Sequence, residues 1–277
     1  MANLHDLAAA LGWGVALRGL RRAHSRRKIE ALRAALVLPG SDWRPASFTD
    51  LRTVPAPVRR YLESVLPAGT SAPAMMVSSQ HGELRTSATS KRWMSFAAIH
   101  HATVTKPGFV WDARVAATRW LPLTVLDSLI DGQGSGQVLL LSALTLAHDA
   151  GTMEMNSGSM HRFLAEAVWY PWALLPSNWL HWAPIAVDRA MATMTANGLT
   201  VALEFRFTGT GEVAAVYSPG RWGSFDGHYV QVAWEGHFSE YERQAGVFVP
   251  RRGEVGWYHD GRLELVWRGG VDHISWE

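Results

Sequence analysis

The sequence contains no cysteine. That absence excludes disulfide staples, thiolate nucleophiles and thiolate-ligated zinc together, and leaves the redox compartment open. A helix spanning a bilayer needs about 20 apolar residues, and the clearest candidate, Leu7–Leu17, is too short. It also precedes its arginines, whereas a signal peptide places charge first and a small-residue cleavage site after the apolar run. Net charge is only +2, and it is uneven. Residues 1–40 carry Arg18, Arg21, Arg22, Arg26, Arg27, Lys28 and Arg33 against Asp6 and Glu30, which is +5, so the remainder is about −3. A general nucleic-acid surface needs a basic main body, and none is expected here.

Catalytic signatures are scarce as well. There is no Gly-x-Ser-x-Gly elbow and no His-Glu-x-x-His pair. His100 and His101 are adjacent, so on a strand they face opposite sides and cannot chelate one ion. His148, Glu154 and His161 read as a Gly- and Ser-rich loop without ligand spacing. Asp127 with Asp131, or Glu235 with Glu240, are carboxylates that sequence cannot place face to face. The glycines of "DGQGSG" lack a phosphate-loop lysine and read as a turn. No metal, no cofactor and no catalytic residue is expected.

What is abundant is apolar surface: 48% hydrophobic residues and 14 tryptophans. Tryptophan at this density suits cores, interfaces and apolar pockets. Three zones are expected. Residues 1–40 read as a basic amphipathic helical segment, docked on the body or lying on an anionic membrane. Residues 41–73 read as a linker with a short helix, in which Pro57 suits the first turn and Val58, Tyr61, Leu62 and Val65 form one stripe. Residues 74–277 read as strands. Leu199, Val201, Leu203, Phe205 and Phe207 alternate with more polar neighbours, and Asn197-Gly198 and Asp260-Gly261 are hairpin turns. Further strands are expected at Arg92–Thr105, Gly108–Ala117, Leu121–Ile130 and around Val230–Phe238. Gln137–Ala147 is apolar on both faces and fits strand or helix.

One helix, 159–176 and capped by Ser159, interrupts this text. On it Arg162 and Glu166 are four apart, within ion-pair reach, and Pro171 must kink the helix or begin a new turn. The expected fold class is α+β: a large curled antiparallel sheet of nine to eleven strands, a half-barrel, packed on the interrupting helix, with helices at the N-terminus.

Four stretches, "VPAPVRRYLESVLP", "FVWDARV", "RFLAEAVWYPWALLPS" and "VAWEGHFSEYERQAGVFVPRRGEVGW", resemble a widespread bacterial family of unknown function. The resemblance covers roughly 54–270; Phe163 stands where the family pattern has tyrosine, and the basic N-terminus lies outside it. It implies an architecture similar to the lipoprotein-carrier (LolA-like) half-barrels and carries no activity.

The reading from sequence is a non-enzymatic carrier or sensor of an apolar ligand such as a lipid or acyl chain. Arg162, Glu166, Tyr170, Asp112 and Arg114 are the expected polar anchors, and Trp111, Trp169 and Trp172 the apolar walls. The rival readings are an enzyme on a hydrophobic substrate, with His100, Asp112, Glu166 and Tyr170 converging, and a membrane-associated interaction protein. The expected location is cytoplasmic, peripheral at the inner membrane through residues 1–40.

Overall fold

Thirteen strands form one antiparallel sheet in the computed structural model, which describes residues 27–36 and 48–277 apart from 68, 70, 88, 89, 117–121 and 141–143. The first meander comprises β1 (Met75–Leu84), β2 (Met94–Thr103), β3 (Phe109–Ala116), β4 (Pro122–Ile130), β5 (Gln133–Leu140) and β6 (Leu144–Ala150). The second comprises β7 (Leu180–Ala186), β8 (Arg189–Ala196), β9 (Leu199–Phe207), β10 (Val213–Phe225), β11 (His228–Gln244), β12 (Val247–His259) and β13 (Arg262–Trp276). Pairing of β1 with β13 zips the two meanders together, leaving β6 and β7 as the two ends of an unclosed sheet. A sheet this wide curls under the twist of its strands. Alternation alone supports nine to eleven strands. The ambiguous text around Gln137–Ala147 divides between β5 and β6, which helps bring the number to thirteen.

Hairpin chemistry explains the regularity. Asn197-Gly198 and Asp260-Gly261 both take the positive φ that a two-residue hairpin turn requires, and Asp131-Gly132 does the same between β4 and β5. Only that first pair of "DGQGSG" is a turn. Gly134 and Gly136 lie in β5, where an added Cβ would stand 2.5 Å from Ser159 Oγ and 3.1 Å from Met155 Cε. Their missing side chains let a helix lie on the sheet.

That helix, α3 (Met153–Glu166), leaves edge strand β6, crosses the concave side, and continues through 3-10 turns Ala167–Trp169 and Pro171–Leu174 toward the other edge, β7. It therefore begins six residues earlier and ends ten earlier than its sequence suggests. Thr152 caps it, accepting from Met155 N at 3.1 Å, and Ser159 sits buried mid-helix. Pro171, with no amide proton to donate, opens the second 3-10 turn. Glu154 and His161 belong to α3 and His148 to β6, so they form no loop.

Two shorter α-helices and a 3-10 helix, Phe48–Thr53, complete the described chain. Residues 27–36 form α1, whose Leu36 packs with Val110 and Leu126 on the outer face of the sheet. The apolar run Leu7–Leu17 lies outside the described residues. Helix α2 (Ala56–Val65) buries Val58, Tyr61, Leu62 and Val65 in the main core, with Pro57 in its first turn. No described helix is long and apolar enough to cross a membrane.

Candidate ligand cavity

The site is built on cross-strand rows of the concave face. Register places Ser78, His100, Trp111, Asp127 and Gly136 side by side across β1 to β5. Strand side chains alternate faces, so Asp112 and Arg114, the neighbours of Trp111 and Ala113, point to the outer face. Arg114 is exposed there, and burial raises the pKa of Asp112 with Arg114 partly offsetting it.

Between this face and α3 lies a cavity of about 340 Å³. Its walls include Met94, Trp111, Val125, Val138, Trp169, Trp234, Phe238 and Trp267, and its polar lining includes Asp127, Arg162, Glu166 and Arg221. The aromatic wall is continuous. Phe96 meets Trp111 edge-on at 5.5 Å and stacks on Trp267 at 5.6 Å, and Trp169 meets Phe238 edge-on at 5.6 Å. Gly82, Gly269 and Gly253 line up across β1, β13 and β12, flanked by Phe96 and Phe238, and Trp169 fits against Gly253, where an added Cβ would stand 3.0 Å from its ring.

The charged lining is one connected arrangement. Arg162 Nε donates to Glu166 Oε1 at 2.8 Å and its Nη1 to Asp127 Oδ2 at 2.7 Å. Its guanidinium lies between the Phe109 and Trp111 rings, at 5.0 and 4.9 Å. Burial opposes its charge, but Glu166 and Asp127 outweigh burial and hold its pKa above the usual value. Burial pushes Asp127 the other way, above the usual carboxylate range, with Arg162 restraining it. Gln80 ties in the next layer: Trp111 Nε1 donates to its Oε1 at 2.9 Å, and its Nε2 lies 3.3 Å from His100 Nδ1. A donating amide makes Nδ1 the acceptor, so His100 carries its proton on Nε2, 3.5 Å from Glu166 Oε2. Burial, and then the charge on Arg162, depress the His100 pKa well below the usual value and keep the ring neutral.

The remaining sequence-selected residues sit apart from this lining. Tyr170 is fully buried and donates to Phe163 O at 2.8 Å. Trp172 is buried against Trp276, ring centroids 4.9 Å apart. Of the four groups considered for catalysis, His100 and Glu166 approach each other, Tyr170 is committed to a backbone carbonyl, and Asp112 faces away. His161 and Ser218 form a second buried pair at 3.4 Å, and neither is among the residues lining the cavity. Asp131 pairs with Lys106, not with Asp127. Glu235 pairs with Arg206 and His237, and Glu240 with Arg252. Among the described residues no cluster of three or more His, Asp or Glu is placed to hold a metal ion.

Arg221 is the site residue that sequence reasoning missed. A bulge between Ser218 and Arg221, at Pro219-Gly220, inserts one residue into β10 opposite β11 and flips the strand parity. Arg221 turns inward as a result, between Trp234 at 4.7 Å and Trp257 at 5.1 Å. The Pro-Gly pair inside a strand was the available signal.

The fold and cavity define a class: an unclosed, curled antiparallel sheet wrapped on a helix, with an aromatic-walled chamber between them. The chain belongs to the family described as "Family of unknown function (DUF6544)", whose model matches residues 44–269. No curated protein matches it. Among solved structures it is similar to a DUF1329 family protein from Desulfovibrio piger ATCC 29098, at 8% identity and a TM-score of 0.46. It is also similar to a LolA superfamily protein from Nitrosomonas europaea, at 6% identity and a TM-score of 0.41. Each comparison covers 80% of this chain and 92% of the other. Similarity this low carries no function across.

Proposed function

We propose that the protein binds and carries an apolar ligand, a lipid or acyl chain, in the chamber between α3 and the sheet. The supporting observation is the chamber itself: about 340 Å³, walled by Trp111, Trp169, Trp234, Trp267 and aliphatic side chains. Small-molecule sites commonly span ~300–1,000 Å³ with mostly apolar walls and a few convergent polar groups. The volume sits at the small end of that range, which favours a single chain or compact ring over a lipid with several chains. Arg162, already bound to Asp127 and Glu166, then serves to fix α3 over the chamber. Residues 1–26, whose arginines follow an apolar run, are proposed to hold the carrier near an anionic membrane.

Native mass spectrometry of protein purified without detergent tests the carrier reading, together with displacement of a fluorescent naphthylamine probe by fatty acids and alcohols. The expected result is a co-purifying lipid or micromolar displacement, reduced tenfold or more by Val138→Phe, which fills the chamber. An empty protein that binds neither probe nor chain would overturn the reading.

A further inference from the structure

Unlike its neighbour Arg162, Arg221 has no direct carboxylate partner. Among the described residues no Asp or Glu lies within 4 Å of its guanidinium, whereas Arg162 holds two. Its Nη2 donates to Gly158 O at 3.0 Å, and its Nε is buried with no partner. A guanidinium carries five N–H donors in a fixed fork, and a buried donor left unmade costs free energy. The guanidinium lies 4.7 Å from the Trp234 ring and 5.1 Å from the Trp257 ring, so a new partner approaches along the edge that these rings leave free.

The space along that edge is open on two sides. Arg221 lines the apolar chamber, and it also lines a second cavity of about 230 Å³ bounded by Glu154, Met155, Ser159, Trp222, Tyr229 and Trp257. The guanidinium therefore stands between an apolar compartment sized for a chain and a smaller, more polar one. Planar or tetrahedral oxyanions match its fork, which is why arginine recurs where carboxylates and phosphates are bound.

Resting on the reading of this chamber as a carrier site, we propose that its ligand is an anionic amphiphile. The tail occupies the aromatic-walled chamber, and the oxyanion head, a carboxylate or a phosphate monoester, is held by Arg221. Arg162 engages Glu166 Oε1 and Asp127 Oδ2, which leaves Arg221 as the cation in this cavity without a direct carboxylate partner. Contact with the Trp234 and Trp257 rings and the hydrogen bond to Gly158 O hold the Arg221 fork before the ligand arrives, which lowers the ordering cost of binding.

The test is a matched series, hexadecanoic acid, hexadecyl phosphate and hexadecanol, each titrated below its micelle-forming concentration into the wild type, Arg221→Met and Arg221→Lys. Wild type should bind at least one anion tenfold or more tighter than the alcohol, and the acid and phosphate arms separate the two head chemistries. Arg221→Met should lose that preference while binding the alcohol unchanged. Arg221→Lys should retain part of it, having charge without the fork. Folding of each variant is checked by near-ultraviolet circular dichroism. Equal binding of acid, phosphate and alcohol by the wild type would overturn the anion assignment and leave the apolar carrier intact. Retention of the preference in folded Arg221→Met would do the same. Failure of all three ligands to bind would remove the carrier reading and this assignment with it.

Discussion

The ring of Trp169 stands 3.0 Å from the position a Cβ would occupy on Gly253, while its Nε1 donates to Pro250 O at 2.8 Å. The indole is thus pinned at one end and pressed against bare backbone at the other. Gly253→Val should destabilise the protein by about 1–3 kcal/mol by overpacking and shrink the chamber as Trp169 is displaced. Gly82→Ala should cost more than Gly253→Ala, because its Cβ would meet the Arg268 carbonyl oxygen at 2.2 Å, and backbone cannot rotate aside. Urea unfolding of the three variants ranks them.

Arg162 and its two carboxylates make a second prediction. Arg162→Met leaves Asp127 and Glu166 without their partner, and because these side chains are only partly buried the cost is about 1–3 kcal/mol, below that of a fully buried pair. Arg221→Met removes a cation with no direct carboxylate partner among the described residues, so it should cost less stability than Arg162→Met. Thermal melts of the two variants should therefore separate although both remove a charge from the same cavity.

Stability should fall on mild acidification. Burial depresses His101 and His161 to about 4 and His100 well below its usual value. A histidine whose folded pKa lies below its unfolded pKa contributes stability that is present above ~6.5 and is lost as pH drops toward ~4. The loss is up to about 3 kcal/mol for His161 and less for His101, whose charge is better screened by solvent. Asp112 and Asp127 have the opposite sign, since their raised pKa values favour the folded state at low pH, but they are two carboxylates against three histidines. Denaturant midpoints measured from neutral pH to ~4 check the slope, and His161→Gln should flatten it.

A chain brominated near its middle should quench tryptophan emission only in part. Among the described residues four of eleven tryptophans line the chamber, so quenching well beyond that share would place the ligand elsewhere. Loss of the effect in Val138→Phe would tie it to this space.

Tyr229 on β11 donates its hydroxyl to Asp149 on the edge strand β6, beside the smaller cavity that it lines. Tyr229→Phe should speed both uptake and release of ligand severalfold with a stability change near ~1 kcal/mol, the worth of one hydrogen bond. Stopped-flow displacement measures it; unchanged rates would assign the contact to structure alone.

Much of the architecture is legible in local chemistry. Asn197-Gly198 and Asp260-Gly261 announce their hairpins, and the alternation from Leu199 to Phe207 announces a strand with one buried face. The start of α3 is not legible, because Asn156, Ser157, Gly158 and Ser159 look like loop. They are helical because Gly134 and Gly136 allow the turn bearing them to press on β5, a tertiary reason absent from the segment itself. The site divides in the same way. Arg162 with Glu166 follows from helical spacing, while Asp127 joins them only through cross-strand register. Asp112 and Arg114 were misdirecting because polarity gave their shared face but not which face enclosed the chamber. Arg221 depended on a bulge that inverts parity halfway along a strand.

In a closed barrel, strand number and stagger fix the bore. Here β6 and β7 are free ends, and the helix that runs from one toward the other acts as a spacer between the opposing walls. The gauge of the chamber is therefore carried by the side chains along α3 and its 3-10 extension, above all Ala165 and Trp169. Substitution along this one segment thus changes the size of the chamber with no strand gained or lost.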